Sequence, residues 1–157
     1  MATKKTDPVK VITKIAEDFI KGLGVTAEVA VTETEEEGAP AFRVNLQGED
    51  LGILIGYHGE TLNALQLILS LLVSKKLEAW TRLTLDAGDW REKRGETLGE
   101  MALRAAEKVR ATGEETALPI MSSADRRLVH LALQGENGIT TESTGEEGYR
   151  RVVIKPA

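Results

Sequence analysis

The chain has no cysteine, only two histidines, four prolines, and two each of Trp, Tyr and Phe among 157 residues. Without cysteine there is no disulfide framework, no thiol nucleophile and no thiolate metal site. His58 and His130 are too few for a His-rich metal centre, so neither a metal nor a cofactor is expected. No stretch approaches the roughly eighteen consecutive apolar residues of a membrane span, and no membrane insertion is expected. Residues 1–7 place no apolar segment behind Lys4 and Lys5, so no signal peptide is expected and the expected location is cytoplasmic. An excess of basic charge is missing too. Lys and Arg number 20 against 25 Asp and Glu, a net charge of −5, whereas nucleic-acid binders are usually basic. The deficit falls entirely within residues 1–89, and residues 90–157 balance to zero. Local clusters therefore matter more than the total.

What is present is a globular composition, 41% hydrophobic and 29% charged, in a length that suits one average domain or two small ones. Asp7-Pro8 has the form of a helix start, an N-cap followed by Pro at the first helical position. Ile12, Ile15, Ala16, Phe19 and Leu23 then form an amphipathic stripe that Gly22 and Gly24 end. Val25, Ala27, Val29 and Val31 alternate with polar neighbours and predict a strand with one buried face. Residues 33–40 read as an acidic turn, and Phe42, Val44 and Leu46 as a second strand that closes a hairpin. Leu51 to Ile55 is a short apolar run. After it comes a long helix with Leu62, Leu65, Leu69 and Leu72 on one face and Ile68 beside them. Leu83 and Leu85 mark a third strand. The sheet is expected to bury against Ile15, Phe19, Leu65, Leu69 and Leu72.

Ala87-Gly88-Asp89 is the first candidate boundary. A long helix over residues 90–111 follows, with Leu98, Met101, Ala102, Ala105 and Val109 on one face. Ser122 caps the next helix, with Asp125 at the capping-box position and Leu128, Leu131 and Ala132 on its core face. Residues 139–143 and 149–154 predict two strands around the turn Gly145-Glu146-Glu147-Gly148. The class is α+β, in two domains, residues 1–88 and 89–157.

Two constellations could carry chemistry. Gly56-Tyr57-His58-Gly59 joins the short apolar run to the long helix. Paired glycines permit a tight turn and close approach of a ligand, and a helix N-terminus favours phosphate. It is not a P-loop, because no Gly-Lys-Ser/Thr follows. It is not a dinucleotide fingerprint, because Leu54 stands where the first glycine would be. The alternative is a plain helix-to-helix turn. The surrounding order of elements is that of a type II KH domain, a three-stranded sheet packed by helices, in which a Gly-x-x-Gly loop clamps a single-stranded backbone. The second constellation is Arg126 and His130, i and i+4 on one helix face, with Arg127 beside them. An arginine fork and an imidazole one turn apart can hold a phosphate; the alternative is a solvated helix face. Arg150 and Arg151 adjoin one another on the last strand and so point to opposite faces; at most one joins Arg126.

Residues 52–66, 91–98, 119–133 and 141–154, taken together and in this order, resemble the bacterial Jag family (SpoIIIJ-associated, KhpB), which joins a KH domain to a small α/β domain named for its Arg-xxx-His motif. The resemblance implies a non-catalytic cytoplasmic protein that binds single-stranded RNA. It also implies a role in post-transcriptional control or as an RNA chaperone, tied to cell envelope growth or division and cell shape, often beside a small single-KH partner. It assigns Gly56, Tyr57, His58 and Gly59 to the KH loop and Arg126 with His130 to the second motif. Arg127, Arg150 and Arg151 complete the expected nucleic-acid-binding set. Binding of single-stranded DNA stays open. The competing reading is a protein-interaction adaptor with a lapsed nucleic-acid surface. An enzyme is disfavoured, since neither histidine has a paired acid beside it and no nucleophile motif or metal-ligand spacing occurs.

Overall fold

The computed structural model describes residues 6–157. Lys4 and Lys5, on which the signal-peptide expectation turns, lie outside the described residues. The chain forms two compact units, Met1–Arg91 and Glu92–Ala157, each with its own core.

The first unit opens with α1 (Pro8–Gly22), where the Asp7 carboxylate accepts from the Val9 N–H at 3.1 Å. Ile12, Ala16 and Ile20 are fully buried and Ile15 and Phe19 pack beside them, while Leu23 sits at the C-cap and is exposed. Strands β1 (Glu28–Glu36) and β2 (Ala39–Gln47) pair antiparallel from Glu28 opposite Gln47 to Glu36 opposite Ala39. Only Glu37 and Gly38 turn the chain, both at positive φ, as a two-residue hairpin of right-handed twist requires. The acidic turn expected over residues 33–40 is therefore mostly strand. Its carboxylates stay exposed, so solvation does not oppose the ladder, and the Arg82 guanidinium reaches both Glu36 and Glu37, at 3.4 and 3.2 Å.

Strand β3 (Arg82–Ala87) pairs parallel to β2, giving sheet order β1-β2-β3. A parallel neighbour cannot be reached by a hairpin and needs a crossover. Residues 48–81 supply it: α2 (Gly52–Ile55), a single 3-10 turn (Tyr57–Gly59) and α3 (Glu60–Leu77). The glycine loop thus lies in the crossover, where α2 passes into α3. Phe42, Val44, Leu46, Leu83 and Leu85 bury against Leu62, Leu65, Leu69 and Val73. Leu72, expected in that core, is 42% exposed, and Val73 takes its place. The buried spacing 62, 65, 69, 73 follows the helical period, and Leu72 lies a full 100° off the last of these.

In the second unit α4 (Trp90–Thr112), which begins in the first, buries Leu98, Ala102, Ala106 and Val109. A two-residue strand β4 (Thr116–Ala117) precedes α5 (Ser123–Ala132), and β5 (Ile139–Thr144) and β6 (Arg151–Pro156) complete an antiparallel sheet of order β4-β6-β5. The core face of α5 is not the expected Leu128, Leu131 and Ala132. Leu128 and Leu131 are exposed, Ala132 is only partly buried, and Asp125, Val129 and Leu133 point inward. The reason is an ion pair: Asp125 is drawn inside by Arg94, and Val129 follows it one turn later. Among the described residues no helix is long and apolar enough to cross a membrane.

Candidate nucleic-acid interface

The loop between α2 and α3 is held in a conformation that only glycine satisfies at both ends. Gly56 has φ 71 and Gly59 φ 82, and His58 between them is also left-handed at φ 49. A Cβ on Gly56 would lie 2.1 Å from Thr61 Oγ1, and a Cβ on Gly59 would lie 2.4 Å from the six-membered ring of Trp90. Both dihedral and contact therefore exclude a side chain. The two residues between the glycines stand out in solvent. Tyr57 is 72% exposed, and its ring stacks on that of His58 with centroids 4.0 Å apart. No side chain caps the N-terminus of α3; the 3-10 turn feeds it instead, with the Glu60 N–H bonded to the Tyr57 carbonyl. Glu60 is the acidic residue of that turn, and neither Lys nor Arg lies between the glycines.

A groove of about 840 Å³ lies between the start of β1 and the segment that leads into α2, lined by Val25, Ala27 and Ile53 and by the acidic Glu28, Glu49 and Asp50. This groove lies on the α2 side of the unit, away from α3, none of whose residues line it.

In the second unit, α5 lays its polar side against β5. Arg126 Nε donates to Ser143 Oγ at 3.0 Å and its Nη1 to the Met121 carbonyl at 2.8 Å. His130 Nδ1 lies 2.7 Å from Thr141 Oγ1. One helical turn on α5 is thereby matched to two residues on β5, 141 and 143, which share a face of the sheet. Arg126 and His130 are half-buried and ordered by these hydroxyls, not a freely solvated pair. These bonds use Nε and Nη1 of the guanidinium and Nδ1 of the imidazole, and leave Nη2 of Arg126 and Nε2 of His130 for a ligand.

The remaining arginines separate. Val152 and Ile154 are buried, so alternation along β6 puts Arg151 on the outer face, while Arg150 lies just before the strand. Arg150 donates to the Gly145 and Ser143 carbonyls at 2.9 and 3.2 Å, which ties the guanidinium to the β5–β6 turn. Arg126 and Arg150 therefore meet at Ser143, one at its hydroxyl and one at its carbonyl. Arg127 is exposed. On the outer face Lys155 holds Glu142 at 2.6 Å. The hydrogen bond from the ammonium, and then its charge, hold the Glu142 carboxyl below its ordinary value; the same two causes raise Lys155.

Two arrangements were not legible in the sequence. The first is the ion pair of Arg94 with Asp125 Oδ2, at 2.8 Å, with 16% and 7% of the side chains exposed. Asp125 was placed as a capping-box acid, and half of that box forms, since its N–H donates to Ser122 Oγ at 3.2 Å. Its carboxylate turns to Arg94 instead of the cap. No sequence signal marks the pair, because neither apolarity nor spacing announces a buried charge. The second is Arg91. Its Nε donates to the Leu85 carbonyl at 2.9 Å, and its Nη2 donates to Asn63 Oδ1 at 3.0 Å and Gln66 Oε1 at 3.1 Å. Gln66 Oε1 also accepts from the Leu85 N–H at 2.9 Å. The outer edge of β3 is thus closed by side chains at Leu85. Burial pulls the Arg91 guanidinium below its ordinary value, and the nearby Asp86 opposes that shift.

Comparison with known proteins assigns both units. Residues 13–85 match the family described as KhpA/KhpB, KH domain. Residues 96–156 match the R-three-H domain, the family named for its Arg-xxx-His motif. Three similar proteins each carry the name RNA-binding protein KhpB. That of Clostridium symbiosum is 42% identical over 132 residues, 84% of this chain and 58% of the relative. That of Lactiplantibacillus plantarum is 36% identical over 135 residues, 86% of this chain and 41% of the relative. That of Bacillus subtilis is 31% identical over 153 residues, 96% of this chain and 72% of the relative. The chain spans about half the length of the first two of these relatives. With a KH domain followed by an Arg-xxx-His domain, and with this identity to a Bacillus subtilis protein of which it covers 72%, the chain belongs to the KhpB family.

Proposed function

We propose that this chain is a non-catalytic protein that binds single-stranded RNA through two sites. The first is the loop Gly56-Tyr57-His58-Gly59, where exposed backbone and the N-terminus of α3 receive the phosphates and Tyr57 stacks on a base. The second is Arg126 with His130, aided by the charge of Arg127; Arg150 orders the turn beside them and Arg151 acts from the opposite face. The observation that carries the reading is the double closure of the loop. Thr61 and Trp90 shut the inner side of each glycine, so the outer side is the one a nucleic-acid backbone can approach. Two weak sites on one chain raise each other's effective concentration if one strand can reach both. Cytoplasmic location and a part in post-transcriptional control of envelope growth or division rest on the family resemblance. So does a small single-KH partner, for which the exposed aliphatic face of α3 (Leu67, Ile68 and Leu71) is the natural seat.

The test is a mobility-shift or filter-binding titration with single-stranded RNA, and matched DNA, at low salt. Tyr57→Asp with His58→Asp should weaken binding about five- to hundredfold, the value of one stacked base, with the melting temperature held. Arg126→Ala should reduce the salt slope by roughly 0.7, one phosphate. A specific reason favours a second reading: the loop lacks Lys and Arg, Glu60 follows it at once, and the groove of the same unit is lined by Glu28, Glu49 and Asp50. If the wild-type chain binds no RNA at low salt, that second reading, a protein-interaction adaptor, replaces the first.

A further inference from the structure

We propose that Trp90 and Arg91, the first two residues of α4, are positioning residues for the glycine loop: the indole seats Gly59 and the guanidinium fixes the helix that leaves the loop. The proposal rests on the RNA-binding reading of that loop and adds residues that neither the loop motif nor its neighbours in sequence contain.

The chain delivers these two residues with little freedom. Only Gly88 and Asp89 separate β3 from α4, and both are left-handed. Gly88 N–H donates to the Leu46 carbonyl at 2.9 Å, and Asp89 Oδ1 accepts from Asn45 Nδ2 at 3.3 Å. The turn is therefore pinned to β2 on both of its residues. Asp86 Oδ1 accepts from the Ala87 N–H at 2.8 Å and the Arg91 N–H at 3.3 Å, which sets the first turn of α4. From this base the Trp90 ring reaches the Cα of Gly59 so closely that no Cβ fits between them. Gly59 is itself buried, and Trp90 packs against the first core. Arg91 meets Asn63 and Gln66, which lie three apart on the first two turns of α3 and so share a face. The indole thus sits against the last residue of the loop and the guanidinium grips the helix that begins right after it. A loop that offers backbone amides in place of basic side chains depends on where those amides point, and here a residue 31 positions downstream decides it.

The experiment compares full-length wild type, Trp90→Ala, Trp90→Phe and Arg91→Lys by amide hydrogen exchange and by affinity for a mixed-sequence 12-nucleotide single-stranded RNA. In Trp90→Ala, exchange at residues 59–62 should quicken about tenfold while the amides of Val44 and Leu85 keep their protection. RNA affinity should fall by a similar factor. Trp90→Phe, which keeps an aromatic ring in the seat, should restore most of both, and Arg91→Lys, which loses the planar fork, should not match wild type. Unchanged exchange at residues 59–62 in Trp90→Ala overturns the proposal, whatever the RNA result. Faster exchange with unchanged affinity overturns it also, and makes the two residues core packing. A wild-type chain that binds no RNA refutes the function of the loop instead, and exchange alone then decides whether Trp90 and Arg91 position it.

Discussion

Removing the Asp125 carboxylate tests what holds α5, and with it Arg126 and His130, in place. Asp125→Ala leaves the Arg94 guanidinium facing a protein interior without its partner. Breaking a buried pair from one side costs about 3–5 kcal/mol. Arg94 keeps 16% of its side-chain exposure against 7% for Asp125, so water partly rescues the stranded charge and the lower end, about 3 kcal/mol, is expected. The second unit, Glu92–Ala157, has a stability of roughly 3–10 kcal/mol at 0.05–0.15 kcal/mol per residue. The substitution therefore removes a large share of it. Replacing both partners with apolar residues, Arg94→Met with Asp125→Leu, should recover most of the loss, since no charge is left buried. Urea denaturation separates the units, because both tryptophans, Trp80 and Trp90, belong to the first. Circular dichroism should show the early transition in Asp125→Ala while tryptophan fluorescence keeps its midpoint. A loss under about 1 kcal/mol in Asp125→Ala, or a double variant as unstable as the sum of the singles, would refute the reasoning.

The corrected face of α3 makes a paired prediction. Val73→Ala should cost about 2–3 kcal/mol in urea denaturation, from two buried methyl groups and the space they leave, and Leu72→Ala under about 1 kcal/mol because Leu72 is already open to water; equal costs would contradict the assignment. The pair of Glu142 and Lys155 makes a pH prediction. The lowered Glu142 value stabilises the fold above the ordinary 4.5 and loses that effect as pH falls through the folded value, while the raised Lys155 value stabilises it below the ordinary 10.5 and loses it as pH rises through its own. An NMR titration should find the Glu142 midpoint below 4.5 in wild type and returned toward it in Lys155→Gln; a midpoint that does not move between the two would show that the ammonium is not the cause.

Much of the fold was legible because its signals are local. The Asp7-Pro8 start and the alternation of Phe42, Val44 and Leu46 name their elements without help from the rest of the chain. The failures have physical causes. Residues 62–73 are apolar on nearly every side, so periodicity finds the helix but cannot choose between Leu72 and Val73 for the core. On α5 the apolar residues mislead because a charged one, Asp125, claims the inner face through Arg94, and apolarity alone cannot announce a buried ion pair. Glu33 to Glu36 read as turn because acidic runs rarely form strands, yet a strand whose side chains stay in water needs only its backbone partner, and β2 supplies it. The two residues of β4 carry no pattern, and their strand exists only because β6 lies beside them.

The candidate site divides along the same line. Spacing alone located Gly56 and Gly59, and the i, i+4 rule put Arg126 and His130 on one face. Spacing could not say what each residue does there, since that depends on distant partners. Gly59 looks like a convenience until the Trp90 ring is found against it, and Arg126 looks solvated until Ser143 and Met121 are found around it. Strand alternation gave half of the answer for Arg150 and Arg151, that they must part. The hydrogen bonds of Arg126 and Arg150 to Ser143 give the other half, that Arg150 goes with Arg126. The loop then holds geometry without fixed positive charge, and the second unit holds the arginines. If this protein grips a charged strand, its two units cannot contribute alike: the first supplies directed amides and a stacking ring, which salt screens weakly, and the second supplies the charge, which salt screens strongly.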